Sequence, residues 1–123
     1  MADVRIFHIV APSDWAAAEQ RGAYLPAGFA ADGFVHFSFA GQVARVANAL
    51  YRDAPDLIVV EIESDDVPAE LRVEDSYGAG EEFPHVYGPI PTAAAVGRHR
   101  LERDPSGDWV FSAAAGGPAS TDR

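Results

Sequence analysis

Residues 33–63 read GFVHFSFAGQVARVANALYRDAPDLIVVEIE, and this stretch decides the fold class. Side chains of an extended chain point to opposite sides in turn. Over residues 33–38 that places Phe34, His36 and Ser38 on one face and Val35 and Phe37 on the other, which predicts a strand. From residue 40 to residue 52 the period changes: Val43, Val46, Ala47 and Leu50 recur at i, i+3, i+4 and i+7, one apolar stripe along a helix. Residues 56–63 then carry Leu57-Ile58-Val59-Val60, a largely β-branched run suited to a central strand.

Upstream, residues 4–10 predict a first strand, interrupted by His8. Pro12-Ser13-Asp14 has helix-start chemistry, since a Ser or Asp side chain can cap free backbone N–H groups. The helix runs through Trp15 to Arg21, with Gly22 as its stop. Downstream, residues 67–91 are irregular, with strand-like pieces near 71–74 and 83–87. Residues 98–103 and 109–112 flank Asp104-Pro105-Ser106-Gly107-Asp108, a turn sequence, so the chain closes on a C-terminal β-hairpin. Residues 113–123, AAAGGPASTDR, carry no pattern and read as a disordered tail. The expectation is one α+β domain over 1–112, with two early helices and strands dominating later.

A chain of 123 residues with 48% apolar composition has enough material for a hydrophobic core without staples. It contains no cysteine, which excludes disulfides, thiolate nucleophiles and cysteine zinc sites. Formal net charge is −10, and nine of the nineteen acids fall between Glu61 and Glu82, where Arg72 alone offsets them. A field of that sign repels nucleic acid and anionic membrane, so a small-molecule ligand is the expected partner. The N-terminus has Asp3 and Arg5 where a signal peptide has a basic region and a long apolar run, and no stretch approaches a membrane span; a cytoplasmic protein is expected.

Three of the four histidines, His8, His36 and His85, sit in strand or turn contexts rich in aromatics, whereas His99 lies among arginines and reads as a surface residue. Histidine titrates near neutrality and serves as acid, base or hydrogen-bond donor. With Ser38, Glu74, Glu81 and Tyr87 they predict a shared pocket. In GEEFPHVYGP, residues 80–89, an extended chain would put Glu81, His85 and Tyr87 on one face and Glu82 on the other. Glu74 and Glu81 compete as the functional acid. Trp15 and Tyr24 are candidates to pave the pocket for a flat ligand. The histidines lack the close pairing that preorganises a metal site, so none is assigned. Ser38 has no G-x-S-x-G around it, and it reads as a ligand hydrogen-bonding group or as the cap of the following helix. Phosphate loops of the G-x-G-x-x-G and G-x-x-x-x-G-K-[ST] kinds are absent.

The phrases IFHIV at 6–10, Trp15, GAYLP at 22–26, GFVHFS at 33–38, QVARVA at 42–47 and GEEFPHVYGP at 80–89 occur in this order. Together they resemble a bacterial family catalogued as domain of unknown function 952, over about residues 4–95. That family is distantly similar to the ADP-ribosyltransferase superfamily, and within it to the RNA 2′-phosphotransferases. There, a first-strand histidine is followed by a helix, a glycine and a strand ending in His-x-Ser. His8, the Trp15 helix, Gly22 and His36-Phe37-Ser38 fill those places here. The resemblance implies an ADP-ribosyltransferase-like fold of mixed or antiparallel sheets. It also implies that His8 touches ribose, that Ser38 and aromatic residues line a nicotinamide-type pocket, and that a later glutamate stabilises an oxocarbenium-like transition state.

The resulting expectation assigns His36, Glu81 and His85 to catalysis, and His8, Trp15, Tyr24, Ser38, Glu74, Tyr87 and Gly88 to ligand binding. The reaction is transferase chemistry on NAD or a related nucleotide, with NAD as a substrate and no cofactor required. A non-catalytic module binding a nucleotide-like metabolite is the alternative, and a metal-dependent or other hydrolase the second alternative.

Overall fold

The β-branched run anticipated from sequence forms the central strand of the molecule. The computed structural model describes residues 4–111, so the expected tail 113–123 lies outside them, as do residues 1–3 and Ser112. In chain order the elements are β1 (Arg5–Val10), α1 (Pro12–Arg21), β2 (Ala23–Tyr24), α2 (Phe29–Asp32), β3 (Val35–His36), α3 (Val43–Leu50), β4 (Ile58–Glu63), β5 (Leu71–Glu74), β6 (Phe83–Val86), β7 (Ile90–Pro91), β8 (Ala95–Arg100), β9 (Glu102–Arg103) and β10 (Trp109–Val110). This is an α+β domain of small antiparallel sheets with three helices. β4 lies between β1 and β8 in one sheet, β6 lies between β3 and β5 in another, and β2–β7 and β9–β10 form two-stranded ribbons.

Val59, Val60 and Ile62 in β4 are fully or almost fully buried because both faces of their sheet are covered. One face packs Ile6, Val10, Val60 and Ile62 with Trp15, Tyr24 and the second sheet. The other packs Phe7, Ile9 and Val59 with Val43 and Ala47 of α3 and Trp109 of the hairpin. At roughly 25 cal/mol per Å² of apolar surface removed from water, such double coverage is the main stabilising contribution. A bridge from Phe7 to Ser38, with both backbone N–H···O bonds at 2.8 Å, ties β1 to the chain leaving β3. That tie brings the two sheets together at the site.

Several expectations need correction. Neither Ser13 nor Asp14 caps α1: Ala11 occupies the cap position, Pro12 opens the helix, and Asp14 lies in its first turn. Gly22 does end it, at φ 82°, with its N–H donating to Ala18 O at 2.8 Å. The predicted second strand shrinks to Val35–His36. The predicted helix over 40–52 becomes a 3₁₀ turn, Ala40–Gln42, followed by α3. Ser38 does not cap that turn; the Gln42 side-chain oxygen accepts the Phe39 N–H at 2.9 Å instead. The helix count rises from two to three, because the four-residue α2 between Gly28 and Gly33 is too short to show a periodicity. The C-terminal hairpin forms from β9 and β10 alone, because the expected first arm 98–103 divides at Leu101 and its start belongs to β8 beside β4; the Asp104 carboxylate accepts from the Ser106 and Asp108 N–H groups.

Candidate functional site

Strand β3 carries the side chain on which the site is centred. Two residues of strand suffice to place His36, because β3 pairs with β6 in a register that sets His36 directly opposite His85. The bridge to β1 then brings His8 to the same place from the first sheet.

His8 lies on the β1 face that otherwise presents Ile6 and Val10 to the core. Its Nδ1 is 2.6 Å from the His36 carbonyl oxygen, which only accepts, so Nδ1 carries the hydrogen and donates. Burial lowers the imidazole to about 4, leaving the ring neutral near neutral pH. Nε2 therefore accepts from the Tyr24 hydroxyl at 2.8 Å. Burial also raises the Tyr24 phenol to about 12, so it keeps the hydrogen it donates.

The His36 ring makes different contacts. Nε2 is 2.8 Å from the Asp32 carboxylate and Nδ1 is 2.5 Å from the Tyr77 hydroxyl. The same hydroxyl is 3.0 Å from Nε2 of His85. His85 is wholly buried and stacks on Phe34 with ring centroids 4.0 Å apart. Its Nδ1 lies 3.0 Å from the Glu74 carboxylate, which also accepts a short bond from the Tyr87 hydroxyl. Tyr87, and after it His85, hold the Glu74 carboxyl below its ordinary range. Burial pushes His85 down against the opposing pull of Glu74. Arg72 lies over the Tyr87 ring, 4.5 Å from its centroid. One unbroken line of contacts thus runs Asp32–His36–Tyr77–His85–Glu74–Tyr87.

The remaining expected site residues separate. Glu81 stands apart from His85 and Tyr87, because β6 begins only at Phe83 and strand alternation does not extend back to it. Its carboxylate receives both Arg45 guanidinium nitrogens at 2.7 and 2.9 Å and the Gln42 amide at 2.8 Å. Arg45 first, then Gln42, bring that carboxyl to about 2. Glu74 is the acid that touches the histidine and tyrosine. Trp15 is a core residue whose indole donates to Glu19. Gly88 is a close approach: a Cβ there would sit 2.7 Å from the Ala69 Cβ. His99, expected at the surface, is half-buried and 2.8 Å from Glu61. Tyr77 and Asp32 are not among the residues expected from sequence; Asp32 stands four residues before His36, whereas Tyr77 has no regular spacing to the histidines.

Two clefts open here in place of the single pocket expected, and His36 belongs to the walls of both. One, of about 390 Å³, is lined by His8, Asp14, Tyr24, Asp32, His36 and Tyr51 among others. The other, of about 490 Å³, is mainly apolar, with Phe37, Val46, Leu50, Phe83 and Tyr77 on its walls together with Ser38 and the Arg45–Glu81 pair. Both volumes lie within the roughly 300–1,000 Å³ typical of small-molecule sites. Among the described residues no three His, Asp or Glu side chains gather where a metal ion could be held, and no helix is long and apolar enough to cross a membrane.

Comparison with known proteins adds a family and a fold. A family model described as "Protein of unknown function (DUF952)" matches residues 9–98. The crystal structure of the protein CC0527 from Caulobacter crescentus superimposes with a TM-score of 0.77 at 29% identity, covering 87% of this chain and 94% of that one. The solution NMR structure of the same protein gives a TM-score of 0.71 at 29% identity, covering 85% and 90%. No curated protein matches the chain.

Proposed function

The chain belongs to the family described as Protein of unknown function (DUF952), and on that footing we propose that it binds a nucleotide-like small molecule in the cleft shared by His8, Tyr24 and His36, with transferase chemistry on NAD or a related nucleotide. One observation carries the reading. His8 and the His36-Phe37-Ser38 phrase, which the resemblance to the ADP-ribosyltransferase superfamily pairs, meet through a 2.6 Å hydrogen bond although they are 28 residues apart.

The cleft's chemistry suits one end of such a ligand. Both ring nitrogens of His8 are occupied, so its part is to aim Tyr24; the Tyr24 oxygen, having donated to His8, still accepts from a ribose hydroxyl. Asp14 gives the wall negative charge, which favours the cationic ring of an oxidised nicotinamide, while Asp32 on the same wall is paired with His36. The same charge stabilises the positive charge that builds on ribose as the nicotinamide bond breaks. Metal and bound cofactor have no part in this scheme; NAD is consumed as a substrate.

Binding without turnover is the second reading. Glu81, the acid first assigned to the reaction, is committed to Arg45 and Gln42. Calorimetry with NAD, paired with an assay for released nicotinamide, separates the two. Affinity that falls in Tyr24→Phe and nicotinamide release from wild type support the transferase. Binding with no release leaves the binding module. If no adenine dinucleotide binds the wild-type protein, the nucleotide reading fails.

A further inference from the structure

The contacts from Asp32 to Glu74 can be counted in hydrogens. There are four close links, Asp32–His36, His36–Tyr77, Tyr77–His85 and His85–Glu74, and beside the last the Ser76 hydroxyl lies at the longer distance of 3.5 Å from the same His85 Nδ1, from which it accepts. Each needs one hydrogen between its two heavy atoms. The carboxylates at the ends accept only, and the Tyr87 hydrogen already goes to Glu74. Two neutral imidazoles and one phenol supply three hydrogens for four links. One more proton completes the line.

We propose that this line stores one extra proton and that Tyr77 is its outlet, an acid in the apolar cleft for a ligand with an aromatic or aliphatic body and one basic atom. The proton has two places to rest. With the Tyr77 hydrogen directed to His85 Nε2, His36 holds a hydrogen on each nitrogen; with it turned to His36 Nδ1, His85 does. Burial without solvent disfavours charge on His85, so His36 is the main resting place. Partial burial raises the Tyr77 phenol, which keeps it a hydrogen donor.

The titratable and charged groups facing His36 set this state from each side. They are Asp32 of α2, Tyr77 of the loop after β5, and His85 of β6 at 5.6 Å between ring centroids. His8 of β1 takes the backbone carbonyl of His36. Arg45 of α3 and Glu81, which line the same cleft, neutralise each other.

Tyr77 and His36 both line the cleft with Phe37, Val46, Leu50 and Phe83, and Tyr77 is half-exposed. A basic ligand atom docking on the phenol takes its proton; His36 Nδ1 replaces it on the Tyr77 oxygen. His36 is left neutral, with its remaining hydrogen on Nε2 against Asp32. Only protons move, and each oxygen and nitrogen ends with an ordinary valence. This acid opens into the apolar cleft and not into the one assigned to the nucleotide, although His36 lines both.

Nitrogen-15 NMR of the full chain near neutral pH tests the count. His36 is expected to show two protonated ring nitrogens and His85 a hydrogen on Nδ1 only. Two neutral rings would overturn the stored proton. Tyr77→Phe removes the hydroxyl alone, and amide spectra verify the fold; His36 should become neutral, and a doubly protonated His36 in that variant would remove Tyr77 from the line. The outlet is tested with 4-nitrophenolate, an aromatic probe whose visible band disappears on protonation. The band is expected to bleach with wild type and to persist with Tyr77→Phe. Failure to bleach with wild type, whether or not the probe binds, removes Tyr77 as an acid.

Discussion

Two histidine–tyrosine pairs meet at His36 of strand β3, and they differ in one hydrogen. His8 and Tyr24 form a closed pair: the His8 Nδ1–H goes to the His36 carbonyl and the Tyr24 O–H goes to His8 Nε2, two hydrogens for two links. Tyr77 and His85 form an open pair, joined through the His36 ring to Asp32 and through Nδ1 to Glu74. Both pairs are histidines bonded to phenols, so residue type does not separate the closed pair from the open one. What separates them is what lies beyond the ring: a backbone carbonyl in the first case and ionisable groups at both ends in the second.

The comparison breaks most visibly at His85. His85→Ala removes a fully buried ring from its stack on Phe34 and leaves Glu74 with Tyr87 alone and Tyr77 with His36 alone. A buried cavity and two lost hydrogen bonds together cost about 4 kcal/mol, read from urea denaturation. A loss no larger than that of Tyr24→Phe would mean that the open line is not a unit. The closed pair should appear next in size, through pH. Folded His8 takes up its proton near 4 and the unfolded residue near 6.5, so the unfolded chain binds more protons between those values. The stability this histidine preserves is therefore complete above pH 6.5 and is lost as pH falls towards about 4, by about 3 kcal/mol. In His8→Gln that component of the acid slope should vanish; an unchanged slope would place the titration elsewhere. Tyr24→Phe is smaller again, about 1 kcal/mol for one hydrogen bond, measured by the same denaturation.

The two regions were also unequally legible in the sequence. β4 showed itself because Leu57-Ile58-Val59-Val60 is a local signal, and a doubly covered strand requires such a run. His8, His36 and His85 were recognisable as unusual among their apolar neighbours. Tyr77 and Asp32 were not, because Tyr77 sits among Asp75, Ser76, Gly78 and Gly80 in a loop and Asp32 ends a four-residue helix. Their positions depend on where the β5–β6 turn and the Gly28–Gly33 segment come to rest, which is a tertiary outcome. The expected facing of Glu81 with His85 and Tyr87 fails for a related reason. Alternation was extended two residues beyond the strand that supports it, whereas Glu74 reaches His85 from β5, the neighbouring strand. Leu50 completed the apolar stripe of α3 in sequence but is exposed at the last residue of the helix, among the residues lining the larger cleft.

The smallest expected effect lies at Arg45, and it sharpens the contrast from outside both pairs. Glu81 is held near 2 by an exposed guanidinium and by Gln42, whereas Glu74 is held down by Tyr87 and the buried His85. Each carboxyl, with its folded value lowered, contributes stability that is present above the ordinary value of 4.5 and lost as pH falls through the folded one. Screening distinguishes them, because salt weakens exposed pairs far more than partly buried ones. Arg45→Ala should leave the denaturation midpoint close to wild type while the Glu81 carboxyl rises towards its ordinary range, followed by carbon-13 NMR of the side chain. Concentrated salt added to wild type should move Glu81 in the same direction and leave Glu74 nearly still. Equal movement of both carboxyls would show that Glu74 is as open to solvent as Glu81, and the line from Asp32 to Glu74 would then have no protected end.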